Sequence, residues 1–332
     1  MTTTTAVERI VDVHAHVTPQ RFQRAVLSGS DWFGMTPADG ELNNLRNRWG
    51  PAQRIEAMDQ ALVDVQPLSP TDCFYQYHRE PAVTARIAAE CNDEVAGMVR
   101  DRPDRFMGLG TLPMQFPDLA VAEMERGIRH LGLAGFMIDD HVNNLTYDHD
   151  LFDPFWAAAE ALGAFVFVHQ GAPTSVTYRT QSYFLLNSVG NLVDRTLTYG
   201  CLVYGGVMDR YPGLTVCLAH AGGYVPYAMD RMDHGWTVRP ASRGRSRDRP
   251  SGYLRRFYYD TVTYTDRNLR MLLDMVGADR VVFGTDWPAP MAVEDAVRRL
   301  RSSAALTDAE RRLILTDNTA RIFSRAAVGE RR

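Results

Sequence analysis

Short runs rich in β-branched and aromatic residues alternate along this chain with longer segments whose apolar residues recur at helical spacing. The runs are RIVDVH (9–14), LVDVQPL (62–68), FMGLGTL (106–112), AGFMI (134–138), AFVFVH (164–169), TVCLAH (215–220), FYYDTV (257–262) and RVVFGTD (280–286). Between them lie amphipathic stretches such as PAVTARIAAECNDEVAGMVRD and DLAVAEMERGIRHLG, the second closed by a glycine, as helices commonly are. Strand then helix, repeated eight times, predicts a (β/α)8 TIM barrel, an α/β fold. No shift in composition marks a second domain, so residues 1–332 read as a single barrel. Two segments exceed the minimal barrel. Residues of about 17–53 are polar and rich in Gly, Asn and Trp, which predicts an insertion after strand one, over the barrel mouth. Residues 239–252, RPASRGRSRDRPSG, form an arginine-rich connection before strand seven, read as a solvated loop or, alternatively, as a lid or subunit contact.

This pattern gives the histidines a location. Barrel enzymes carry their catalytic residues at the C-terminal ends of the strands. His14 and His16 close strand one, His169 strand five, His220 strand six and Asp286 strand eight, so all five are expected at one mouth. Singly, each has an ordinary explanation: a histidine satisfies a local backbone group, and Asp286 caps the helix after WPAP. Five together point to a site. Three imidazoles and a carboxylate suit one borderline divalent cation, zinc first and manganese next, with room for a water that the cation acidifies to hydroxide near neutral pH. His14, His16, His169 and Asp286 are assigned as ligands, leaving His220 as the acid/base beside that water.

Composition changes this picture in a few places. The chain has 332 residues, 45% of them hydrophobic, enough for a large core. A net charge of -4 gives no general attraction to nucleic acid or to an anionic membrane. Cys73, Cys91, Cys201 and Cys217 are scattered without a C-x-x-C pair, MTTTTAVERI lacks the basic and apolar regions of a signal peptide, and no apolar run is long enough to span a bilayer. A soluble cytoplasmic protein is expected. All 36 basic residues are arginine. Schiff-base chemistry, a pyridoxal-phosphate lysine and a P-loop lysine are therefore excluded, and so is a carboxylated lysine bridging two metals, which favours a single ion.

The segments RWGPAQRIEAMDQ, RFMGLGTLPMQFPDLAVAEMERGIRHLG, LAHAGGYVPYAMDRMDHGW and FGTDWPAP resemble the amidohydrolase superfamily, and within it the aminocarboxymuconate-semialdehyde decarboxylase family, which includes γ-resorcylate decarboxylase. The similarity runs from about residue 10 to residue 323. It implies the same ligand set, His14, His16, His169 and Asp286, with His220 of AHAGG as catalytic acid/base. It also implies a homodimer in which Arg231 of AMDRMDHG reaches the neighbouring site to grip an anionic substrate; pairing of Arg231 with Asp230 or Asp233 is the local alternative. Two positions depart from the resemblance. Leu42 stands where the family carries a substrate-gripping arginine, a role open to Arg46 or Arg48 if the loop runs differently. Asp72 of LSPTDCFYQYH replaces an uncharged residue, and either faces the substrate or caps a loop. Tyr75, Tyr77, His78, Tyr183 and Phe184 are candidate pocket walls.

The expected function is metal-dependent, non-oxidative decarboxylation of an unsaturated or aromatic carboxylic acid, without an organic cofactor. His220, with Asp286, manages the proton delivered to the carbon that bears the carboxylate. The alternative is a hydrolase whose metal-bound hydroxide attacks an amide, lactone or related carbonyl. A barrel that only binds would be expected to have lost a ligand or the acid/base, and all are present.

Overall fold

Eight parallel strands pair in sequence order in the computed structural model, which describes residues 9–171 and 174–326. They are β1 (Ala15–Val17), β2 (Gln66–Pro70), β3 (Phe106–Gly110), β4 (Gly135–Ile138), β5 (Phe165–Val168), β6 (Thr215–Leu218), β7 (Phe257–Asp260) and β8 (Val281–Val282). The sheet closes where Val13 N donates to Phe283 O (3.0 Å), Asp286 N to His14 O (2.8 Å) and His16 N to Trp287 O (2.7 Å). Helices cover its outer face, so side chains on both faces of the strands are buried. Phe165, Val166, Phe167 and Val168 are all at most 1% exposed, as a parallel sheet wrapped by helices requires. The MTTTTAVE start, on which the reading of a missing leader rests, lies outside the described residues. Among the described residues no helix is long and apolar enough to cross a membrane, and the four cysteines are free.

Two strands differ from the run predicted for them. Strand one was expected over 9–14, yet regular pairing with β2 covers Ala15–Val17, preceded by an isolated bridge from Val11 to Val65. The cause is Asp12, whose buried carboxylate takes His14 N and Thr285 N and diverts the backbone from the ladder. Strand two was expected over 62–68. Leu62 instead ends the helix Pro51–Ala61 in a left-handed conformation (φ 62°), and pairing starts at Gln66.

The insertion after β1 is less polar in its packing than in its composition. Phe22, Val26, Trp32, Met35 and Leu42 turn inward against Phe74, Ile87 and Cys91 and form a small second core. Burying one phenylalanine such as Phe22 contributes roughly 1.5–3 kcal/mol, which offsets the ordering of about one or two residues, so the segment is held by the cluster as a whole. The arginine-rich segment is likewise tied down: Arg245 pairs with Asp150 and Arg243 stacks 4.8 Å from the Trp236 ring.

Candidate metal centre

Three of the four histidines of the barrel mouth, His14, His16 and His169, are anchored from behind through Nδ1. His14 Nδ1 donates to Asp260 Oδ2 (2.6 Å), at the end of β7. Ser69 Oγ, at β2, gives its proton to Ala15 O (3.1 Å) and therefore accepts from His16 Nδ1 (3.1 Å). His169 Nδ1 donates to Gln170 O (3.1 Å). Such partners fix the tautomer, leaving each Nε2 as a bare lone pair directed inward. Nε2 of His14 and of His169 are buried without a hydrogen-bond partner among the described residues. Into the same space points Asp286, whose Oδ1 lies 3.1 Å from His14 Nε2, in a geometry that forms no hydrogen bond, and 3.2 Å from His16 Nε2. Lone pairs of three imidazoles facing a carboxylate repel unless a cation joins them. The donor set thus fits one divalent ion.

Charge balance supports the same conclusion. Burial opposes ionisation of Asp286, but His14, His16 and His220 outweigh it and hold its carboxyl well below the usual range. Burial also opposes protonation of His14, yet Asp286 and Asp260 raise it to about 10, so a proton occupies this imidazole when nothing else satisfies it. His169, buried beside His16, His14 and His220, is pushed well below the ordinary histidine value. A buried imidazole kept neutral is the form that binds a metal.

His220 enters on a strained turn. His220, Ala221, Gly222 and Gly223 all have positive φ, from 52° to 76°. The two glycines are required there: a Cβ on Gly222 would sit 2.7 Å from the Tyr259 ring, and one on Gly223 would sit 2.4 Å from Leu192 O. The turn is pinned by Asp260, which accepts from His220 N (2.8 Å) and Ala221 N (2.9 Å). His220 Nε2 then lies 3.5 Å from Asp286 Oδ2. One donor atom from each of His14, His169, His220 and Asp286 falls within 4.8 Å of the others. His16 adjoins this group, its ring centroid 4.6 Å from that of His169. Asp260 had not been singled out from the sequence, although an acid ending the FYYD run carries the same positional signal as His169.

Behind the centre is a second buried network. Arg54 donates to His16 O and to Gln66 Oε1, Gln66 donates to Asp12 Oδ2, and the Arg54 guanidinium lies 4.2 Å from the Trp287 ring. This arginine backs the metal centre from below.

Two cavities meet at the centre. One, of about 830 Å³, is lined by His16, His169 and Asp286 together with Glu41, Asp72 and Phe184. The other, of about 860 Å³, is walled by His220, Tyr224, Tyr227, Val262 and Tyr264. Asp72 opens a short turn after β2 and lines the first cavity. Tyr77 and His78 do not reach it: Tyr77 is buried against Tyr75 (ring centroids 5.3 Å), and His78 is exposed. Tyr75 supports the centre from outside the cavity by donating to His169 O (2.9 Å). Tyr183 is 92% exposed. Arg46 pairs with Glu294, and Arg48 donates to Leu42 O. Arg231 is exposed on the helix Val225–Val238; among the described residues it pairs with neither Asp230 nor Asp233, the second of which is held by Ser251.

The amidohydrolase family model matches residues 11–325. The chain is 34% identical over 246 residues to 2-amino-3-carboxymuconate-6-semialdehyde decarboxylase of Dictyostelium discoideum, covering 74% of this chain and 68% of the relative. Among solved structures it resembles 5-carboxyvanillate decarboxylase from Sphingomonas paucimobilis, with TM-score 0.84, 26% identity and coverage of 95% of this chain and 99% of that one. It also matches the fold of a dihydroxybenzoic acid decarboxylase from Polaromonas sp. JS666 that has bound manganese, with TM-score 0.82, 24% identity and coverage of 96% and 97%.

Proposed function

The chain belongs to the amidohydrolase family, and we propose that it catalyses metal-dependent, non-oxidative decarboxylation of an aromatic or unsaturated carboxylic acid. The observation that carries this reading is the convergence of unpaired imidazole nitrogens on Asp286, with His220 beside them at the meeting of two cavities. The decarboxylases it resembles point the same way. His14, His16, His169 and Asp286 would hold the ion, zinc by preference of the donor set and manganese as the alternative. When bound, the ion supplies electrostatic stabilisation for negative charge that develops on the substrate.

The chain's own residues carry the proton. His220 delivers it from the ring to the carbon that bears the carboxylate, which breaks the conjugation at that carbon. The carbon–carbon bond then cleaves, its electron pair restores the conjugated system, and carbon dioxide leaves. Asp286 orients His220 through the contact of its second oxygen with Nε2. Arg231, without an ion pair among the described residues, is proposed to serve the site of a second copy in a homodimer, where its guanidinium holds the substrate carboxylate. Phe184 borders the cavity and is proposed to pack on the substrate. A cytoplasmic location is consistent with four free thiols.

The test is a mass balance on purified, metal-loaded protein with hydroxy- and amino-substituted aromatic acids and muconate-like acids. Carbon dioxide released in step with product supports the proposal. Products heavier by one water, with no carbon dioxide, replace it with hydrolysis.

A further inference from the structure

We propose that the site selects a monocarboxylic acid whose far end carries a basic nitrogen, and that Asp72 and Glu41 are the residues that read that end. This rests on the decarboxylase reading above, which places the carboxylate to be lost at the metal end.

Two kinds of group line the polar cavity. His169, only 5% exposed, lines it with an Nε2 that has no partner among the described residues, which marks a ligand position. Beyond Asp286, the same lining carries two carboxylates, Glu41 and Asp72, with the amides of Asn43, Asn44 and Asn187 among them. No arginine lines this cavity among the described residues. The arginines of the neighbouring segment are committed elsewhere: Arg46 to Glu294, Arg48 to Leu42 O, and Arg54 to His16 O beneath the centre. Leu42, at the position of the family's gripping arginine, is fully buried in the small second core. Neither Glu41 nor Asp72 has a basic partner among the described residues.

These two carboxylates face a cavity with nothing to neutralise them. Burial, with Glu41 and then Asp139 nearby, pushes the Asp72 carboxyl up to about 7. A second carboxylate on the substrate would add a third negative charge to this wall, whereas an ammonium group relieves the repulsion and meets acceptors on several sides. A hydroxyl finds acceptors there too, but leaves the charge unbalanced. In the proposed dimer, Arg231 of the partner subunit serves the single carboxylate at the other end of the substrate.

The test is calorimetric titration of the metal-loaded full-length protein with para-aminomethylbenzoate, para-hydroxybenzoate and terephthalate, which share a ring and one carboxylate and differ at the far end. The expected order of affinity is amine, then hydroxyl, then dicarboxylate, with the amine about tenfold or more tighter than terephthalate. Asp72→Asn should shrink that ratio about tenfold, and Glu41→Gln, at an exposed position, should shrink it less. Terephthalate binding as tightly as the amine overturns the inference, as does a ratio that neither variant moves, or a failure of all three acids to bind. If the amine preference holds and no acid releases carbon dioxide, the selectivity stands and the decarboxylase reading falls. If acids release carbon dioxide with no preference for the amine, the reverse is true.

Discussion

The floor and the acidic wall of the polar cavity are built on opposite plans. On the floor, His14, His16, His169 and Asp286 are at most 5% exposed, and each imidazole is held from behind by a hydrogen bond through Nδ1. On the wall, Glu41 and Asn43 are exposed, Asp72 is half-buried, and Phe184 stands on a left-handed backbone (φ 58°). Strand ends locked by a closed ladder supply the floor; connections between strands supply the wall. Chemistry that needs fixed distances has been placed where the backbone cannot shift. Recognition, which here depends on sign of charge more than on tight geometry, has been left to segments that can vary.

The contrast can be broken first at the floor. His220→Asn should keep its metal and lose activity by a factor on the order of 10²–10⁴, while His16→Ala should lose the metal. Metal analysis beside the carbon dioxide assay reads both; metal lost from the His220 variant and kept in the His16 variant would exchange their roles, an outcome made concrete by the close grouping of His220 with His14, His169 and Asp286. A smaller effect is expected one layer back. Asp260→Asn keeps the shape but weakens the hold on His14, and metal affinity or turnover should drop roughly 10–100-fold. At the wall the expected change is smallest and appears in KM. Asp72 lies near Glu41, Asp139 and Asp286, and its carboxyl, raised to about 7, is neutral below that pH and charged above it. KM for an amine-bearing acid should therefore fall as pH rises through about 7 in the wild type. In Asp72→Asn that fall should vanish, and a fall of equal size in the variant would assign the titration to another group.

The same division explains what could be read in the sequence. His169 and His220 follow apolar runs that can only be barrel strands, so their shared face follows from strand order alone. Asp260 obeys the same rule, yet its importance depends on a partner 246 residues away, and nothing local to FYYD indicates which histidine it holds. The start of β1 was misplaced because Asp12, in the middle of an apolar run, bonds across to Thr285 rather than ending the run. Wall residues were harder still. Tyr75 and Tyr77 lie in one turn with Asp72, and only the packing that stacks the two rings decides that Asp72 faces the cavity and Tyr77 does not. Leu42 was legible as a missing arginine, but not as a core residue, since the small core that absorbs it is assembled from separate stretches of chain.

Asp260 has a consequence that reaches past geometry. A single carboxylate grips the ring of His14 and also the backbone amides of His220 and Ala221. The proposed ion ligand and the proposed proton donor therefore share one fastening, and a substitution at Asp260 is expected to disturb both. Change in the loops can therefore alter what the site accepts, while change at this one carboxylate touches both ends of the chemistry at once.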